Sequence, residues 1–263
     1  PKDKLWATIY LDDEEAEKMW IESTDLPVDR ILRFDEKENF WEMGETGPCG
    51  PCSELFVDLG PEADPDFKGE PKDGVNVSDR FREFWNLVFI QYNRDENGQL
   101  HPLPDTHVDT GMGLERITAI LQDVPSTYHT DLLWPTIMAT QTLAKHSDNE
   151  RDEYLTPYRV IADHIRAATF LVGDGVVPGN TNRNYVCRMI IRRASRFAAE
   201  IGLNKPCLST ISDTVIETYK NAYPELKEHS GTIKDTINDA VSYTQLRAHE
   251  TQRNRVCRLL LEQ

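Results

Sequence analysis

The run Val108-Asp-Thr-Gly-Met-Gly-Leu-Glu-Arg-Ile117 gathers an acid, two glycines and an arginine into one short stretch. Gly111 and Gly113 let a ligand approach the backbone closely, and Arg116 offers a guanidinium fork for phosphate oxygens. That combination suits a nucleotide. The spacing is not G-x-G-x-x-G, and no Gly-Lys-Ser/Thr follows, which sets aside Rossmann and Walker sites. A buried strand turning into a helix through glycine accounts for the same residues.

Three residues at strand positions, the same Asp109 among them, suggest amino-acid chemistry. Asp109 can hold a cationic amine, Trp41 can wall a short apolar side chain, and Asn86 can bond either charged end of a zwitterion. An Asn or Asp can also simply end a strand. His107 stands two residues from Asp109, as an acid/base pair or as two solvent-exposed groups. Cys49-Gly-Pro-Cys52 is a C-x-x-C pair with no second pair and no His at zinc spacing. Strand-forming residues follow Pro51, where a thioredoxin-like motif would begin a helix. The flanking Gly and Pro therefore predict a stiff loop that shapes a pocket, with no bound metal and no redox cycle.

A third group lies on a basic helix over residues 183–196. Arg188, Arg192 and Arg196 recur every four residues, opposite an expected apolar face of Val186, Ile190 and Phe197. Arg183 precedes them. The loop Gly179-Asn-Thr-Asn182 presents small amides suited to a base edge, with Asn180 the candidate reader. His164 and Arg166 can add phosphate contacts or pair with Asp163 and Asp174. A solvated helix face remains the alternative.

Charge supports the division. Net charge is −16 over 263 residues. Residues 1–100 hold 11 Lys/Arg against 25 Asp/Glu, whereas 157–199 hold 7 Arg against 2 Asp, the one stretch suited to a polyanion. The five Cys are an odd number and no secretory leader is visible, which points to a reducing, cytoplasmic setting. No run reaches the length of a membrane span.

The elements that must position these groups change character along the chain. Strands are expected at 4–10, 31–34, 40–43, 54–59, 84–92 and 107–110, with a helix at 14–22 capped by Asp12 or Asp13 and a hairpin turn at Asn97-Gly98. Residues 61–79 read as a surface loop. Helical spacing follows at 114–122, 131–146, 157–172, 185–201 and 208–220. The fold class is α+β: an antiparallel sheet with helices on one face, then an all-helical domain. The polar stretch 147–156 marks the expected boundary, giving domains 1–150 and 151–240.

The longer motifs carry a resemblance. Asn39 to Glu54, Phe84 to Tyr92, Val108 to Ile117, and Val160 to Arg166 with 174–193 resemble, in order, signature segments of the alanyl-tRNA synthetases, over about residues 1–240. The resemblance implies the class II antiparallel sheet followed by a helical domain that grips the acceptor stem of tRNA(Ala). It implies that ATP and Mg2+ convert alanine to alanyl-adenylate, and that the alanyl group then passes to the 3′-terminal ribose. Val108 to Ile117 resembles motif 3, so Arg116 matches its catalytic arginine on the ATP γ-phosphate, with Gly111 and Gly113 lining the nucleotide and alanine pocket. Asp109, Asn86, Trp41 and Gly111 match alanine-binding positions. Asn180 matches the residue that helps read a G·U pair, and Arg183, Arg188, Arg192 and Arg196 are the expected tRNA contacts.

The resemblance also sets limits. Motifs 1 and 2 fall before Pro1, and the editing domain with its zinc lies beyond the other end, so this segment by itself is expected to be inactive. Oligomeric state is left open. Asn184 stands where the family usually has Gly, and Met189 where it usually has Arg. Similarity stops near Asn238. Residues 241–263, with Leu259, Leu260 and Leu261 consecutive, read as a tail foreign to the fold. The alternative function is a non-catalytic RNA-binding fragment or paralogue. A sheet domain for a small ligand, with no nucleotide chemistry, would leave Arg116 unprotected by ATP.

Overall fold

A computed structural model describes residues 2–204 and 206–242. The described residues form two compact units that divide between Thr127 and Tyr128. The first is built on strands β1 (Leu5–Tyr10), β2 (Ile31–Phe34), β3 (Phe40–Glu42), β4 (Gly47–Asp58), β5 (Phe81–Arg94) and β6 (Leu100–Met112). They make a sheet of order β2-β1-β4-β5-β6, with β3 paired to β4. All pairings are antiparallel except β1 with β2. Helices α1 (Glu14–Ser23), α2 (Glu36–Asn39), α3 (Pro71–Gly74) and α4 (Leu114–Leu121) complete the unit. Asp13 caps α1 by accepting from the Ala16 amide.

Period-two alternation gives the sheet two distinct faces. Leu55 and Val57 pack with Trp20 of α1 and with Ile117 and Ile120 of α4. Trp6 and Phe56 point the other way and meet Phe81 and Val75. The segment 61–79 is thus not merely a surface loop: Val75 is only 1% exposed, and Phe67 packs beside it.

The Gly-Pro-Cys repeat is strand, not loop. Gly47 to Cys52 opens β4, with an irregularity between Cys49 and Cys52 that accommodates Pro51. Gly50 lies so close to β5 that a Cβ there would fall 2.0 Å from the Phe89 carbonyl oxygen. Glycine serves here as a place for backbone to touch backbone.

The second unit is helical: α5 (Trp134–Ala144), α6 (Asp148–Glu153), α7 (Leu155–Gly173), α8 (Asn182–Glu200), α9 (Leu208–Tyr219), α10 (Pro224–Glu228) and a further helical run at 230–242. The units divide between Thr127 and Tyr128, ahead of the polar stretch 147–156. That stretch is α6, begun by a capping box in which Ser147 and Glu150 satisfy each other's backbone N–H groups. Ile137 of α5 already belongs to the core of Tyr158, Ile161, Ile165, Ile191, Ile211 and Ile237. Val241, only 2% exposed, joins that core too, so the boundary expected at 241 falls inside a packed helix. The rest of the expected tail, 243–263, lies outside the described residues.

Candidate functional site

Cross-strand register brings the candidate residues of the sheet unit onto one face. Glu54 lies opposite Asn86, Asn86 opposite Gly111, and Val88 opposite Asp109. Directly paired residues share a face, as do residues two apart on one strand. Thr8, paired with Glu54 from β1, extends the row. Trp41 is half-buried on β3 opposite Gly50, four residues before Glu54 on β4.

Asn86 and Glu54 are bonded to each other. The Asn86 Nδ2 donates to Glu54 Oε1 at 3.1 Å. Among the described residues Asn86 Oδ1 is buried and accepts nothing. Beside them Asn39, fully buried on α2, donates from Nδ2 to Thr8 Oγ1 at 2.8 Å and to the Cys52 carbonyl at 3.1 Å. Burial pushes the Glu54 carboxyl up to about 7, and the nearby Glu83 and Glu38 carboxylates push the same way against Arg116. Burial and then Glu54 push the Cys52 thiol up to about 12. Cys49 is buried and raised too, and both are free cysteines. Neither thiol is the thiolate that redox or nucleophilic chemistry needs.

Arg116 stands at the start of α4. Its Nη1 donates to the Glu83 carboxylate at 2.7 Å and to the Glu83 carbonyl at 3.0 Å. A Cβ on Gly113 would press on the Arg116 side chain at 3.1 Å, so this glycine gives the arginine room. A Cβ on Gly111 would meet nothing within 4 Å, which leaves open space opposite Asn86. Asp109 is exposed and accepts from the Thr110 amide at 2.8 Å. His107 shows no bond to Asp109: its partner across the ladder is Ile90. The residues missed in the sequence are Glu54 and Glu83. Glu54 had a signal: an acid inside E-L-F-V-D-L, two residues from Cys52 and therefore on its face.

In the helical unit, the arginines decorate α8 as expected but its apolar face is displaced by one residue. Cys187, Ile191, Ala194 and Ala198 are the buried positions, while Val186 is exposed. Ile190 and Phe197 are partly buried against the core. Arg183, Arg192 and Arg196 are exposed. Arg188 donates to Asn180 Oδ1, holding the exposed Asn180 against the helix, and lies over the Tyr185 ring at 5.8 Å. Arg196 pairs with Glu200 at 3.5 Å. Gly179 N–H donates to the Asn184 carbonyl at 2.9 Å, which folds the loop back on the helix start. On α7, His164 pairs with Asp163, and Arg166 donates to the Tyr219 hydroxyl at 3.2 Å.

The model of the family "tRNA synthetases class II (A)" matches residues 1–244. The chain belongs to that family. It is 49% identical over 226 residues to the alanine–tRNA ligase of Nitrosomonas eutropha, covering 86% of this chain and 25% of that protein. The alanine–tRNA ligases of Solibacter usitatus and Nitratidesulfovibrio vulgaris are 48% and 47% identical, over 87% and 88% of this chain and 26% of theirs. The synthetase segment thus spans about a quarter of the length of the curated relatives it matches. Its mixed fold, with a mostly antiparallel sheet, agrees with the class II expectation. Among the described residues no helix is long and apolar enough to cross a membrane.

Proposed function

We propose that the full-length protein ligates alanine to tRNA(Ala) in an ATP-dependent reaction through alanyl-adenylate. One observation carries the reading: Asn86, Gly111 and Asp109 share a sheet face whose end is marked by Arg116. Names of the relatives add the amino acid. In this reading an alanine carboxylate oxygen bonds the α-phosphorus of ATP, the α–β phosphoanhydride breaks, and pyrophosphate leaves. A ribose hydroxyl at the tRNA 3′ end then attacks the activated carbonyl and releases AMP. Magnesium arrives with the triphosphate and screens its charge.

The chain's own residues have definite tasks here. Arg116 takes a γ-phosphate oxygen, leaving its contact with Glu83, and so holds the far end of the triphosphate. Asp109 accepts from the substrate ammonium, Asn86 bonds a charged end of the amino acid, Trp41 bounds the small methyl pocket, and Gly111 with Gly113 lets ligand reach backbone. No covalent enzyme intermediate is required, so rate comes from orientation and charge stabilisation. Arg183, Arg188, Arg192 and Arg196 take acceptor-stem phosphates, and Asn180 takes a base edge. The activity belongs to the cytoplasm, where the tRNA is charged. Alanine-dependent ATP–pyrophosphate exchange by the full-length protein, followed by charging of tRNA(Ala) transcript, is the test. Exchange with another amino acid but not alanine would reject the substrate, and RNA binding without exchange would favour a non-catalytic RNA-binding paralogue.

A further inference from the structure

The Asn86–Glu54 pair contains an asymmetry that the proposed reaction does not itself explain. An amide side chain offers two donors and an acceptor, and which end faces the ligand decides what it recognises. Glu54 accepts from Asn86 Nδ2, and Asn86 Oδ1 is left buried with no partner among the described residues. A buried acceptor without a donor is a costly arrangement, and an N–H donor of a bound ligand would remove that cost.

We infer that Glu54 is a positioning residue that locks the Asn86 amide with its oxygen as the free end, so that Asn86 selects the ammonium of the amino acid rather than its carboxylate. This rests on the alanine-binding reading above and extends it to a residue to which the resemblance assigned no role. An ammonium has three N–H donors. Asn86 Oδ1 takes one and Asp109, two cross-strand pairs further along on the same face, takes another.

The lock depends on the charge of Glu54. Ionised, Glu54 only accepts and holds Nδ2. Protonated, its O–H can donate to Oδ1, which reverses the amide and removes the acceptor from the ligand. The groups facing Glu54 are Glu83 of β5, Glu38 of α2, Arg116 of α4 and Cys52 of its own strand. Burial and then the two carboxylates favour protonation, and Arg116 opposes it, which sets the change near neutral pH. Alanine affinity therefore rises as pH increases through this range.

Alanine binding by calorimetry and alanine-dependent ATP–pyrophosphate exchange, both on the full-length protein on either side of about pH 7, test the inference. For wild type we expect alanine to bind several-fold more tightly above the transition. Glu54→Gln, which can donate as well as accept, should raise the Kd and KM for alanine roughly 10-fold, about one hydrogen bond's worth. It should leave the KM for ATP unchanged and flatten the pH profile. In an Asn86→Ala background, Glu54→Gln should have no further effect on alanine binding, an outcome that a merely structural role would not produce. Unchanged alanine affinity and pH profile in folded Glu54→Gln would overturn the inference while leaving the ligase reading intact. pH-dependent alanine binding without exchange would remove the ligase reading and keep the role of Glu54. No alanine binding by wild type would overturn both.

Discussion

The two units put their chemistry in opposite places. In the sheet unit the candidate site shares the sheet with the core: Thr8 and Asn39 are buried on β1 and α2 within a few residues of Trp6 and Ile9. In the helical unit one continuous apolar core takes the inner faces of the helices, and the arginines stand outside it on α8. On the proposed assignments, function and stability are therefore coupled in the first unit and separable in the second. Small buried polar clusters need each partner satisfied, whereas an apolar core leaves the outer helix face free to vary.

The sharpest test of that contrast is a cavity in the helical core. Ile165→Ala, at a fully buried position, should cost about 4 kcal/mol in urea unfolding of the full-length protein's helical domain. A cost under about 1 kcal/mol would mean that this core is not the close-packed unit described. Second, Gly50→Ala should cost roughly 3 kcal/mol, because β4 and β5 must separate to admit a methyl group beside the Phe89 carbonyl. The same variant should weaken alanine use, since Glu54 and Asn86 lie on the strands pushed apart. Normal stability with lost activity would break the proposed coupling.

Third, Asp109→Asn should lower kcat/KM for alanine by about 2 kcal/mol, the scale of a charged hydrogen bond, with little effect on melting because Asp109 is exposed. Equal alanine dependence in the variant would remove Asp109 from the site. Fourth, the Glu54 carboxyl is raised in the folded protein from an ordinary value of 4.5 to about 7. The folded state then binds more protons than the unfolded one between those values, and stability falls as pH rises through the window. Glu54→Gln should flatten that slope and gain on the order of 1 kcal/mol above pH 7, a figure reduced for the partial exposure of the group. Thermal melts against pH check the sign, and a wild-type profile that rises across this window would refute it.

The smallest stability effect is expected outside the helical core. Arg192→Ala should change unfolding free energy by less than about 0.5 kcal/mol, yet reduce the salt dependence of tRNA binding by about one phosphate contact. Loss of stability without loss of salt slope would show that this arginine is part of the framework.

How much was legible in the sequence differs between the units for the same reason. Apolar spacing located α4, α5, α7, α8 and α9 to within a few residues, because a helix's pattern and its hydrogen bonds are both local. It misplaced the buried stripe of α8 by one position, since Val186 and Cys187 are both apolar and only packing chooses between them. In the sheet, alternation located β1 and the centre of β5. The Gly-Pro-Cys segment read as loop because Pro is poor in strands, and nothing local announced that β5 would come within contact of Gly50.

The amino-acid sequence alone determined the class of the fold, the succession of sheet and helices, and the candidates Asp109, Gly111, Arg116 and the α8 arginines, since each rests on local residue type and spacing. Tertiary structure alone decided that Glu54 stands opposite Asn86, that Glu83 holds Arg116, and that the units part at Thr127 rather than at the polar stretch beyond. Strand pairing joins Glu54 to Asn86, 32 residues apart, and the docking of α4 joins Arg116 to Glu83, 33 apart. Their partnership depends on register, and register is set by the whole sheet closing on its core.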